Sequence, residues 1–275
     1  MFPSYALLTS IVWVGVVFSV SLFICERCSL PFSSGMCLEA PRLVASQAKS
    51  PPNGTQLNAN KKLKCINILS QNVQGIKSST QIEELVHAFS RRKLFAACLQ
   101  ETWREGSEPL VQDGVRIIPV GPEKQTGRGS QGVAIVLGQE GFECWKAAGF
   151  EVHKDLGARI IAVRLLIEDS KNNQVGLFLV SAYAPVGKED DSVWERYLGN
   201  LNLCISRKRA GDLLIIGTDA NASIGVSMRE DEGVKNVGRF GISHINDSGR
   251  RFRTFLSCEN LFAFTTMFQK KSYGT

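Results

Sequence analysis

The chemistry in this chain is concentrated where apolar runs end. Residues 213–216 are Leu-Leu-Ile-Ile; Gly217 follows, and then Asp219, Asn221 and Ser223 at intervals of two. A carboxylate beside a neutral carboxamide suits a site that activates a water and fixes its direction. Asx residues also end strands for local reasons, because their side chains bond their own backbone. The string therefore gains meaning only in company. Three other apolar runs end similarly: in Ser70-Gln71-Asn72, in Gln100-Glu101-Thr102 and in Ser181-Ala182-Tyr183-Ala184-Pro185. If the four ends converge, two carboxylates, two carboxamides and a phenol face one another, without a cysteine or a Ser–His pair. Hard oxygen donors of this kind select Mg²⁺, Mn²⁺ or Ca²⁺ over zinc. The reaction class they suit is metal-assisted hydrolysis of a phosphoester.

The elements that must position these groups follow from periodicity. Strands are expected over residues 63–69, 94–99, 132–137, 159–167, 175–183 and 213–216. Gly217 is expected to let the chain turn out of the last of these. Helical spacing of apolar residues predicts helices over 81–89 (Ile82, Leu85, Val86, Phe89), 191–206 (Val193, Trp194, Tyr197, Leu198, Leu201, Ile205) and 247–260, where Asp247 is placed to cap the first turn. Strands and helices are interspersed without strict alternation. That implies a mixed α/β architecture.

Composition sets wider bounds. The 275 residues are 44% hydrophobic and 21% charged, an ordinary globular balance. The net charge of +6 fits a polyanionic partner without demanding one. Short basic clusters at Arg91-Arg92-Lys93, Arg207-Lys208-Arg209 and Arg250-Arg251-Phe252-Arg253 are, singly, solvated helix ends and loops. Eight cysteines at irregular spacing provide neither a zinc-ligand pattern nor a disulfide framework; Cys65 and Cys98 lie in apolar runs as small core residues. No charge precedes Glu26, and residues 5–25 are long and apolar enough for a signal anchor. No basic n-region marks a cleaved leader. Residues 28–62, rich in Pro, Ser, Ala and Asn, form a linker, and the globular domain is expected over 63–275. The alternative for residues 1–27 is an extension foreign to the domain. The domain is then intracellular, tethered at a membrane if the anchor is real and nuclear if it is not.

The ordered strings ILSQNVQG, LQETW, SAYAP, GTDANAS and NDSGRRFRTFLSCENL resemble the endonuclease/exonuclease/phosphatase superfamily over residues 63–275. Within it the likeness is to endonuclease domains of non-LTR retrotransposons and craniofacial-development-protein-2-like proteins, also through residues 261–268. The resemblance implies a four-layered α/β sandwich of two packed mixed sheets flanked by helices, incomplete at the C-terminus. It implies Mg²⁺, or Mn²⁺, held by Glu101 with Asn72 beside it. Asp219 would activate the water, Asn221 orient it and hold the phosphate, and Tyr183 bond the scissile phosphate. Arg159 would approach a DNA backbone, and Asn246 would support the metal loop and substrate. His87, His153 and His244 match no catalytic position. The superfamily's late Asp and terminal Ser-Asp-His string do not occur before the sequence ends at Tyr273-Gly274-Thr275. A positioned acid–base group is worth about 10²–10⁴ in rate, so DNA hydrolysis is expected to be weak or absent. Two alternatives stand beside it: a non-catalytic remnant binding nucleic acid or a partner, and a phosphatase of inositol phosphates or phospholipids.

Overall fold

The computed structural model describes the backbone of residues 21–26 and residues 66–124, 131–169, 172–186, 189–227 and 236–267. Two sheets carry it. One has the order β11-β1-β10-β9-β8-β7, from Leu261–Ala263, Ser21–Glu26, Leu213–Asp219, Gln174–Tyr183, Ile160–Glu168 and Val152–His153. The other has the order β2-β3-β6-β5-β4, from Ile68–Asn72, Ala96–Gln100, Val133–Leu137, Val115–Val120 and Leu110–Gln112. Parallel pairs (β9 with β10, β2 with β3) sit among antiparallel ones, so both sheets are mixed.

Side-chain alternation sorts the core into three layers. Ala97 and Leu99 of β3 face helix α1 (Ser79–Arg92) through Val86 and Phe89. Ala96 and Cys98 face the opposite way, into a cluster with Ile161, Val163, Leu177 and Leu179 of the second sheet. Phe178 and Val180 of β9, with Leu214 and Ile216 of β10, turn outward onto helices α3 (Asp191–Ser206) and α4 (Asp247–Cys258). Helix, sheet, sheet and helix are thus stacked, the four-layered α/β sandwich expected from the sequence. Covering both faces also explains why β3 and β6 are buried at every residue rather than alternately.

Several boundaries and elements differ from expectation. Helix α3 falls on residues 191–206 as predicted, but β10 extends three residues further, to Asp219, because Gly217, Thr218 and Asp219 pair with Ser181, Ala182 and Tyr183. Gly217 therefore does not turn the chain. It has no left-handed φ; a Cβ there would stand 2.5 Å from the Cβ of Cys98 in the facing sheet, so it is a point of close approach. The cap of α4 is Asn246, not Asp247: its side chain accepts from the Gly249 amide at 2.8 Å. Strands β4 and β5 and helix α2 (Gln139–Ala147) were not anticipated. Pro119 obscured β5, and it is tolerated because β4 pairs only with Val115–Ile117, leaving Pro119 bonded on one side. Helix α2 starts from Gly138 without a side-chain cap, so it lacks a start signal.

The expected membrane segment is not supported. Its last residues, Ser21–Glu26, form β1, antiparallel to β10 with Ser21 opposite Asp219. Residues 1–20, like linker residues 28–62, Cys65 and the C-terminal residues 268–275, lie outside the described set. No helix among the described residues is long and apolar enough to cross a membrane.

Candidate active site

The four strand ends converge. Strands β9 and β10 are parallel and in register, which sets Tyr183 beside Asp219; β2 and β3 likewise set Asn72 beside Gln100. The alternation that points Leu177 and Leu179 between the sheets also points Tyr183 there, and Asp219 shares that face of β10 with Gly217. Strict alternation would send Glu101 to the far side with Leu99. Glu101 instead adopts a left-handed backbone (φ +54°), and its carboxylate lies with the others. The loop beyond it is fixed by backbone bonds from Gly75 to the Glu101 carbonyl (2.8 Å) and from Ile76 to the Thr102 carbonyl (3.0 Å).

Asn72 is the centre of the cluster. Its amide donates to Glu101 Oε1 at 2.7 Å and to Asp219 Oδ2 at 2.8 Å, while its Oδ1 accepts from the Gln74 backbone at 3.1 Å. The Tyr183 hydroxyl donates to the same Glu101 oxygen at 2.9 Å. Asn221, at φ +44°, folds back so that its backbone amide donates to Asp219 Oδ1 (3.2 Å) and its side chain to the Ala184 carbonyl (2.8 Å). Burial pushes the Asp219 carboxyl above its ordinary range; the bonds from Asn72 and Asn221 oppose this, and the Glu101 charge adds to it. Burial, then the adjacent Glu101 charge, also raises the Tyr183 phenol, so it stays a donor at neutral pH.

Asn72, Glu101, Tyr183, Asp219 and Asn221 are thus brought together as the sequence suggested. Arg159 reaches the rim: its guanidinium lies 5.2 Å from the Tyr183 ring centroid, donates to the Ala184 carbonyl and pairs with Glu189 at 2.9 Å. Asn246 is outside the bonded cluster. Its Oδ1 accepts from Gly249 and from Ser223, so it ties the loop after Asn221 to α4. Of the histidines, His87 and His244 are exposed and His153 faces Glu151 at 3.3 Å. Much of the positive charge is paired: Arg207 with Asp155, Arg209 with Glu151, Arg250 with Asp247 and Arg251 with Asp191. Sequence reasoning missed Gln100 and Ser181, buried immediately behind the site; the alternation of β3 was the signal that could have found Gln100.

No group of three or more His, Cys, Asp or Glu among the described residues forms a ready metal cage. The donor set nonetheless suits Mg²⁺, which is commonly held by one or two carboxylates beside phosphate oxygens. Glu101 and Asp219 are two such carboxylates, bridged by the Asn72 amide, and a cation would offset their mutual repulsion.

Fold and cluster together define an α/β sandwich with a hard-oxygen site at the joint end of both sheets, the architecture implied by the motif resemblance. The chain matches no protein-family model and no curated protein. It is similar to the solved APE2 catalytic domain of Xenopus laevis, with 14% identity and a TM-score of 0.42, over 69% of this chain and 66% of that one. It is similar also to the AP endonuclease LMAP of Leishmania major (13%, TM-score 0.44, 70% and 65%) and to an AP endonuclease of Archaeoglobus fulgidus (17%, 0.42, 70% and 69%). The chain spans just under two thirds of the length of the first two.

Proposed function

We propose that this domain hydrolyses phosphodiester bonds in DNA with a divalent cation, Mg²⁺ or Mn²⁺, held by Glu101 with Asn72 beside it. The observation that carries the reading is the Asn72 amide shared between Glu101 and Asp219, with the Tyr183 hydroxyl on the same Glu101 oxygen. It gathers four residues at the ends of four strands of two sheets. The bound cation would supply charge neutralisation and polarise a phosphoryl oxygen. Asp219, desolvated and therefore more basic than an ordinary carboxylate, takes the proton of the attacking water. Asn221 orients that water. Tyr183, kept protonated, donates to the phosphate as charge builds in the transition state. Arg159, whose guanidinium lies 5.2 Å from the Tyr183 ring centroid, would approach the nucleic-acid backbone. Asn246 holds the loop after Asn221 and so acts on substrate binding at one remove.

The test is nicking of supercoiled plasmid by the purified full chain with Mg²⁺ and with Mn²⁺. Slow nicking is expected, abolished by a chelator and reduced about 10²-fold or more in Asp219→Ala, the typical worth of a positioned base. Nicking that survives both Asp219→Ala and Glu101→Ala would overturn the assignment. So would release of phosphate from a soluble inositol polyphosphate with no action on DNA.

A further inference from the structure

The carboxylates and Tyr183 are divided between the two sheets, so their spacing depends on what holds the sheets together. Directly behind them lies Gln100, fully buried on β3. Its Nε2 faces four acceptors: Ser70 Oγ at 3.4 Å and the Cys98 carbonyl at 3.3 Å in its own sheet, and Ser181 Oγ at 3.3 Å and the Gly217 carbonyl at 3.2 Å in the other. Two of these are carbonyls, which can only accept, so the amide nitrogen must point that way and the side chain cannot flip. Its Oε1 has no partner among the described residues. Ser181 completes the link by donating to the Leu99 carbonyl at 3.0 Å.

We infer that Gln100 is a positioning residue: its amide fixes the spacing of the two sheets at the point where each delivers its metal-facing side chains. Glu101 is the next residue along from Gln100, while Tyr183 and Asp219 are each two residues beyond Ser181 and Gly217. A purely apolar side chain would fill the same space without an unpartnered oxygen, so packing alone does not account for a glutamine here. Directed bonds set a distance; apolar contact tolerates slip. As a statement about metal binding, the inference rests on the proposed function.

The test uses the full chain with Gln100→Met, which keeps the volume and removes the amide, and with Ser181→Ala, which also serves if the first variant does not fold. Three readouts are needed: melting temperature, Mn²⁺ affinity by electron paramagnetic resonance, and crystal structures. The expected result for Gln100→Met is a melting temperature within a few degrees of wild type, an Asn72–Asp219 bond opened from 2.8 Å to beyond hydrogen-bonding distance, and Mn²⁺ affinity lowered about tenfold. Ser181→Ala acts in the same direction, and the double variant is no worse than the worse single. Unchanged cluster distances in the variant structures overturn the inference, as does an affinity loss that merely follows melting temperature. If the wild-type chain binds no Mn²⁺, the proposed function fails, and the crystallographic distances alone decide the role of Gln100.

Discussion

Gly217→Ala separates two explanations of one glycine. If Gly217 were present for a turn, the cost of alanine would be a backbone cost, indifferent to the facing sheet. In the structure Gly217 lies within β10, and an added Cβ would stand 2.5 Å from Cys98 Cβ, 2.9 Å from Cys98 Sγ and 2.9 Å from Ser70 Oγ. Carbon atoms in contact rest about 3.5–4.0 Å apart, so roughly 1 Å must open between sheets that are tightly packed. Overpacking of this size costs about 1–3 kcal/mol. For a domain of roughly 150–250 residues, each kcal/mol lowers the melting temperature by about 2–4 °C, so a fall of roughly 2–12 °C is expected by calorimetry. The partner is then altered. Cys98→Gly removes both Cβ and Sγ, and in that background Gly217→Ala should cost at least about 1 kcal/mol less, the coupling expected of residues in contact. Cys98→Ala keeps the nearest atom and should give little relief. A cost unchanged by Cys98→Gly would refute close approach as the reason for the glycine.

Arg164, midway along β8, and Asp212, just before β10, form a buried bidentate pair with both bonds 2.8 Å. Asp212→Ala leaves a buried guanidinium unpaired and should cost about 3–5 kcal/mol in urea denaturation, whereas Arg164→Met combined with Asp212→Leu should cost much less; equal costs would show that packing, not charge, governs the site. At the surface, the Arg207 guanidinium holds the Asp155 carboxyl at about 2, below its ordinary 3.8. Because the folded value is the lower one, the pair's stabilisation is complete above about pH 4 and is lost as pH falls through 2. Asp155 is largely exposed, so the effect should stay below about 1 kcal/mol. An NMR titration of Arg207→Ala should return the carboxyl to the ordinary range, and a value still near 2 would assign the shift to another group.

What the sequence disclosed, and what it hid, divide along a physical line. Residues 191–206 were legible because Trp194, Tyr197 and Leu201 pack one face of a helix against one sheet, which leaves a period of 3.6 in the chain. Asn72, Glu101, Tyr183, Asp219 and Asn221 were legible because each breaks or follows an apolar run. Strands β4 and β5 were not, since one has three residues and the other contains Pro119. The identity of the α4 cap was ambiguous between two adjacent Asx residues, and only the bonds from Gly249 and Ser223 assign it to Asn246. Gly217 misled for a related reason: a glycine after an apolar run signals a turn locally, and the close approach of Cys98 is set by residues more than a hundred positions away.

That distance in sequence is also what the site is made of. Asn72 and Asp219 are 147 positions apart, and Tyr183 and Glu101 are 82 apart. No local propensity can set such separations; only the packing of one sheet on the other can. The same packing that brings Glu101 near Asp219 also strips water from Asp219 and raises its carboxyl, so placing the carboxylate and raising its affinity for a proton are one event. It follows that variants loosening the sheets behind the site, without touching it, should move the Asp219 titration back toward that of an ordinary aspartate. The close contact of Gly217 with Cys98 and the buried amide of Gln100, which donates to the Gly217 carbonyl, lie at the joint between the sheets whose packing desolvates the Asp219 carboxyl.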